Sequence, residues 1–200
     1  MYDNHTLLSS AEVRILDVFL DLNRHYFAEL IKVAKLTRPR TLRVLRKLVK
    51  QGIFDISAEA NVKYYSLKKT PLTYNTLGLV EYNKSLLFLA KNKAIWRALE
   101  MFKEKYVDYS ILLVFGSIVK GYATKSSDID ILLIKDKISK NDIRKIEEIV
   151  DLVNGRTGLK ISPYFMAMEE FKEKNDLAKQ AIASHILIDG AEMFFKVVLA

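Results

Sequence analysis

Two hundred residues, half of them hydrophobic, suit one large domain or two small ones with a buried core. The lack of cysteine excludes a disulfide framework and a thiolate metal site. His5, His25 and His185 lie too far apart for ligand spacing and read as surface or packing residues. The net charge of +8 is unevenly placed: residues 1–70 hold thirteen Lys/Arg against seven Asp/Glu, 71–105 six against three, and 106–200 thirteen against fourteen. A basic excess confined to the first part points to a polyanion partner there, with a solvated basic face as the alternative. The start MYDNHTLLSS has no basic region followed by an apolar core. The longest apolar stretches, around Ile111 and from Met193 to Leu199, fall short of the ~20 residues a membrane-spanning helix needs. The expectation is a cytoplasmic protein with no membrane partner.

The spacing of Val13, Ile15, Leu16, Phe19 and Leu20 predicts a core helix over 10–23, capped by Ser9 or Ser10. A second helix over 26–34 puts Phe27, Leu30, Ile31 and Ala34 on one side, and Lys35-Leu36-Thr37 turns the chain. A third helix over 38–51 has Thr37 as cap, Pro39 in the first turn where its missing N–H is harmless, and Gly52 as its stop. Leu42, Leu45, Leu48 and Val49 face inward on this reading, leaving Arg40, Arg43, Arg46, Lys47 and Lys50 as a basic ridge. Residues 53–57 and 62–67 read as two strands joined by 58–61.

Three helices and a hairpin in this order resemble the winged helix-turn-helix domains of prokaryotic transcription regulators, in which the third helix enters the major groove of double-stranded DNA. The resemblance covers about residues 9–68 and rests on pattern and charge. It implies groove contacts from Arg43 and Lys47, and phosphate contacts from Arg38, Arg40, Arg46, Lys50 and Lys63. A homodimer is expected with it. A three-helix dimerisation domain with a solvated basic helix is the competing reading.

Pro71 opens a helix-forming connector to about residue 105. Leu86, Leu87, Phe88, Leu89, Ile95, Trp96, Leu99 and Phe102 supply its apolar face.

The run Ile111 to Phe115 then reads as a strand that breaks at Gly116-Ser117, and a second apolar run from Ile129 to Ile134 opens with Asp128 and Asp130. On a strand of period two these carboxylates share a face. Two carboxylates side by side suit Mg²⁺ or Mn²⁺, with water and substrate phosphates filling the remaining positions. Gly116 lets the backbone approach a phosphate, and Ser117 with nearby N–H groups can bind triphosphate oxygens. A helix over 139–153, a strand over 159–166, a helix over 169–184 and a hydrophobic tail from His185 to Leu199 complete an α+β chain with a small mixed sheet.

Gly116-Ser117, the gap from Ile118 to Ser127, and Asp128-Ile129-Asp130 resemble the signature of the DNA polymerase beta nucleotidyltransferase superfamily, especially its minimal branch. Lys120-Gly121 and Ser127 fall where that branch has Arg-Gly and Ser, and the Lys keeps the charge without the guanidinium fork. The domains expected are 1–70 winged helix-turn-helix, 71–105 helical connector and 106–200 nucleotidyltransferase. The resemblance implies Asp128 and Asp130 as catalytic metal ligands, and Gly116, Ser117, Lys120 and Ser127 as nucleotide-binding residues. It also implies transfer of a nucleoside monophosphate, with AMP from Mg·ATP favoured, to a hydroxyl of a partner protein, a small molecule or an RNA end. Most catalytic members of the superfamily carry a third carboxylate on the strand after the helix. Here Ser162 or Tyr164 falls near that position, and Glu169 and Glu170 lie beyond the strand. The alternative is therefore a DNA-binding regulator whose transferase domain only senses nucleotide.

Overall fold

The computed structural model describes residues 8–122 and 127–200. His5 and the part of the Gly-Ser to Asp-Ile-Asp gap at 123–126 lie outside the described residues. Two compact units are present, Met1–Val80 with Leu199–Ala200, and Glu81–Val198. The boundary falls within one long helix, Pro71–Lys91.

In the first unit, helix α1 (Ser10–Val18) begins at Ser9, whose hydroxyl accepts from the Glu12 N–H while the Glu12 carboxylate accepts from the Ser9 N–H. The expected helix over 10–23 is shorter: α1 passes into a 3-10 turn at Phe19–Asp21, and Leu22 takes a left-handed φ of 64°. Strand β1 (His25–Tyr26) leads into α2 (Phe27–Ala34), and α3 (Arg38–Lys50) follows a left-handed Lys35. Strands β2 (Phe54–Glu59) and β3 (Val62–Leu67) form a hairpin. Its loop is two residues rather than four, because Ala60 and Asn61 both adopt positive φ, the geometry that matches the strand twist. The sheet order is β1-β3-β2, all antiparallel.

Ile15, Leu16, Phe19, Leu30, Leu45, Leu48, Ile53 and Phe54 form the core of this unit. The α3 face centres on Thr41, Val44, Leu45 and Leu48, one side of a 3.6-residue period, so Leu42 and Val49 are only half-buried. His25 is a packing residue: it is buried against Phe19, with Nε2 2.9 Å from Asp21 and Nδ1 3.2 Å from Glu29.

Helix α4 (Pro71–Lys91), which carries the unit boundary, gives way in the second unit to α5 (Lys93–Lys105) at Asn92, which leaves helical geometry while its side-chain amide donates to the Phe88 carbonyl. Ala98, Leu99 and Phe102 are buried, Trp96 is half-buried, and Leu87 is 66% exposed, so the apolar face is narrower than the sequence suggests. Strands β4 (Ile111–Phe115), β5 (Ile129–Lys135) and β6 (Ile161–Ala167) match the three expected. A single helical turn, α6 (Ser117–Lys120), follows β4, and α7 (Lys140–Thr157) crosses from β5 to β6. Helix α7 runs past the expected end at 153 and through Gly155, and Gly158, at φ 69°, is the left-handed terminator.

The expected helix over 169–184 is two, α8 (Met168–Lys172) and α9 (Asp176–Ala183), separated where Lys174 turns left-handed and Asn175 caps the next helix. The tail is a strand and a helix, β7 (Ile186–Asp189) and α10 (Ala191–Val198). The mixed sheet runs β6-β5-β4-β7, with β5 parallel to β6 and β4 antiparallel to both neighbours. Leu112, Val114, Ile129, Ile131, Leu133 and Ile161 pack on one face with residues of α5 and α7. Among the described residues no helix is long and apolar enough to cross a membrane.

Candidate functional site

The end of β4 and the start of β5 meet at one point. Phe115 pairs with Asp130 across the antiparallel ladder, and Asp130 pairs with Ser162 across the parallel one. Alternation along β5 sends Ile129 into the core, where it is 1% exposed, and leaves Asp128 and Asp130 on the opposite face.

Gly116 is required here for two reasons. Its φ is 79°, and a Cβ at this position would stand 2.0 Å from Asp130 Oδ2. The glycine thus makes room for the carboxylate itself.

Asp128 has two protein donors on one oxygen: Lys160 Nζ at 2.7 Å and Ser162 Oγ at 2.8 Å, both to Oδ2. The Lys160 hydrogen bond, followed by that of Ser162, holds the Asp128 carboxyl below its ordinary value. Asp130 moves the other way, raised by burial and then by the charge of Asp128. A cation placed between the two would neutralise the Asp128 charge and offset the cost of keeping a buried Asp130 ionised.

Ser117 opens α6 and is half-buried, Lys120 ends it and is exposed, and Ser127 is half-buried immediately before Asp128. The Lys120 N–H donates to the Gly116 carbonyl at 3.2 Å and the Tyr122 N–H to the Ser117 carbonyl at 3.0 Å, closing the turn after β4. Among the described residues no group of three or more His, Cys, Asp or Glu could hold a metal ion. Ser162, the register partner of Asp130, supplies a hydroxyl and no charge. The described donor set fits one divalent ion, through Asp128 and Asp130 with phosphate and water completing the shell, and among the described residues there are no carboxylate ligands for a second.

Lys160 was not singled out from the sequence. Its position is set by the parallel ladder, in which its carbonyl accepts from the Ile129 N–H at 2.7 Å. The signal that could have found it is the spacing Lys160-Ile161-Ser162, which repeats Asp128-Ile129-Asp130 one strand over.

On the first unit, Arg38, Arg40, Arg43, Arg46 and Lys50 of α3 and Lys63 of β3 are exposed. Arg38 lies over the Phe27 ring at 5.4 Å, and Arg40 Nη2 donates to Ser10 Oγ at 3.4 Å. Lys47 differs from the rest, because its ammonium stands 2.5 Å from Oε1 of Glu12, a residue only 3% exposed.

Residues 98–192 match the family model described as polymerase beta, nucleotidyltransferase, just under half of the chain. No curated protein matches the sequence. Among solved structures the chain is similar to TrmBL2, an archaeal chromatin protein whose structure shows a novel mode of DNA binding. The identity is 19%, over 88% of this chain and 72% of that one, with a TM-score of 0.31. So slight a likeness carries no argument about fold or function.

Proposed function

Proceeding from the match of residues 98–192 to the polymerase beta nucleotidyltransferase family, we propose that the chain transfers a nucleoside monophosphate from an NTP, with ATP as the favoured donor, to a hydroxyl acceptor. The observation that carries this reading is the junction of Gly116 with Asp130, where the backbone is shaped to admit a carboxylate beside a second one. Asp128 and Asp130 would hold the divalent ion, Mg²⁺ or Mn²⁺, which when bound neutralises triphosphate charge and polarises the phosphoryl oxygens.

Gly116 and Ser117 bring backbone and hydroxyl donors to the triphosphate, and the exposed Lys120 adds a positive charge at the end of the same turn. The acceptor oxygen forms its bond to the α-phosphorus as the bond to the β-phosphate breaks, releasing pyrophosphate, and the hydroxyl proton passes to water. Catalysis of this kind is positioning and electrostatics.

The first unit we read as a winged helix-turn-helix that binds double-stranded DNA, as a homodimer. The helix order, the short β1 joined to the hairpin and the exposed cations of α3 support it. Arg43 is the groove contact, while Arg38, Arg40, Arg46, Lys50 and Lys63 bind phosphates. Lys47, paired with Glu12, contributes by holding α3 against α1.

A second reading, a regulator that binds nucleotide without turning it over, draws support from Ser162 and Lys160 standing beside the carboxylates. The test is incubation of the full chain with α-labelled ATP, Mg²⁺ and host lysate beside an Asp128→Ala/Asp130→Ala control. Label on a macromolecule that disappears in the control is the expected result. Nucleotide binding with no label transferred would favour the regulator.

A further inference from the structure

In a two-ion transfer site the cations stand about 3.5–4 Å apart and clamp the attacking and leaving oxygens together. A carboxylate shared between them must give one oxygen to each. Asp128 is not free to do so: its Oδ2 already accepts from Lys160 Nζ and from Ser162 Oγ. The ladder neighbours of Asp130 are Phe115 and Ser162, so neither adjacent strand places a carboxylate opposite it.

Lys160 is anchored in this place by more than its side chain. Its carbonyl accepts from Ile129, the residue between the two carboxylates, so the ammonium is delivered to Asp128 by the sheet itself. The side chain is 73% exposed, and only one of its three donors is accounted for by Asp128. A lysine here is a compact fixed positive charge with donors to spare for phosphate or acceptor oxygen.

Resting on the nucleotidyl-transfer reading, we infer that the Lys160 ammonium stands in for the second divalent ion. The site takes one divalent cation together with the nucleotide, and Lys160, positioned with Ser162, supplies the other positive charge while fixing the orientation of Asp128.

The measurement is a count of bound Mn²⁺ by equilibrium dialysis of the full chain with excess non-hydrolysable ATP analogue. One ion per chain is expected for the wild type. The variant Lys160→Ala/Ser162→Asp, which removes the ammonium and installs a carboxylate, is expected to bind two. Lys160→Ala alone should still bind one, with affinity tighter on the order of threefold because a competing cation has gone from a partly exposed carboxylate.

Two ions on the wild type, or one on the double variant with its thermal unfolding preserved, would overturn the inference while leaving nucleotidyl transfer standing. Should the double variant not fold, the single variant decides, and an Mn²⁺ affinity equal to wild type overturns it. A wild type that binds neither ion nor nucleotide would remove the transfer reading and the inference with it.

Discussion

On α3 the charged residues and the core residues occupy opposite sides of one helix, whereas on β5 they alternate along one strand. The consequence is a different coupling of charge to fold. Arg43 and Lys50 can be exchanged without disturbing Leu45 or Leu48, because those point the other way. The shape of Asp130 cannot be changed independently, since Gly116 lies against its carboxylate and Ser162 is its ladder partner. A surface that binds by summed charge tolerates loss residue by residue; a site built into a sheet does not.

The sharpest test of that contrast is Gly116→Ala. The added Cβ meets a carboxylate oxygen at 2.0 Å, on a backbone with φ 79°. Loss of Mg²⁺-nucleotide binding is expected, with destabilisation of about 2 kcal/mol or more in chemical denaturation. Unchanged nucleotide binding would mean that the two strands have no fixed geometry at this point.

Asp130→Asn separates function from stability. Transfer should fall by about a thousandfold in a labelled-nucleotide assay, the scale of losing a group that stabilises transition-state charge. Stability should move the other way. Because the folded protein holds a proton on Asp130 more tightly than the unfolded chain does, ionising it costs stability as pH rises through and above the ordinary carboxylate range. Asparagine removes that cost, so the variant should melt higher than wild type at neutral pH, with the difference vanishing in acid.

In the first unit the exception to separability is Lys47. Lys47→Ala leaves the Glu12 carboxylate buried without its cation and should cost about 1–3 kcal/mol, seen in thermal unfolding. Arg43→Ala should leave melting within about 0.5 kcal/mol of wild type and cost DNA binding about 1–3 kcal/mol, with relaxed specificity at the base it reads. The two also part in pH dependence. Burial pushes the Glu12 carboxyl up, but hydrogen bonds from Lys47 and Ser9 outweigh it and hold it low. Wild-type stability from this group is therefore present above its ordinary value near 4.5 and lost as pH falls through the lowered one. Without Lys47 only the Ser9 hydrogen bonds oppose burial, so this stabilisation should shrink in the variant.

Period and punctuation made most of the elements legible. Apolar spacing located α1 to α3, and Gly116-Ser117 and Gly52 marked real ends of elements. The carboxylate pair was legible because alternation on a strand is a strict rule. The pairing of Lys160 with Asp128 was not, because it depends on the register of a parallel ladder closed over a crossover helix. The inward set of α3 shifted by one residue, to Thr41 and Val44, because the helix phase is fixed by packing. The strand β7 was hidden in a run whose length and apolarity suit helix and strand alike.

The ladder between β4 and β5 joins residues fifteen to twenty-three positions apart, while Lys160 and Ser162 reach theirs only after the eighteen-residue α7 has been laid down. Loop closure favours the nearer pairing in time. The emerging chain therefore assembles its two aspartates before it acquires their ammonium partner, and for that interval the half-built sheet carries uncompensated negative charge that any divalent ion nearby can claim.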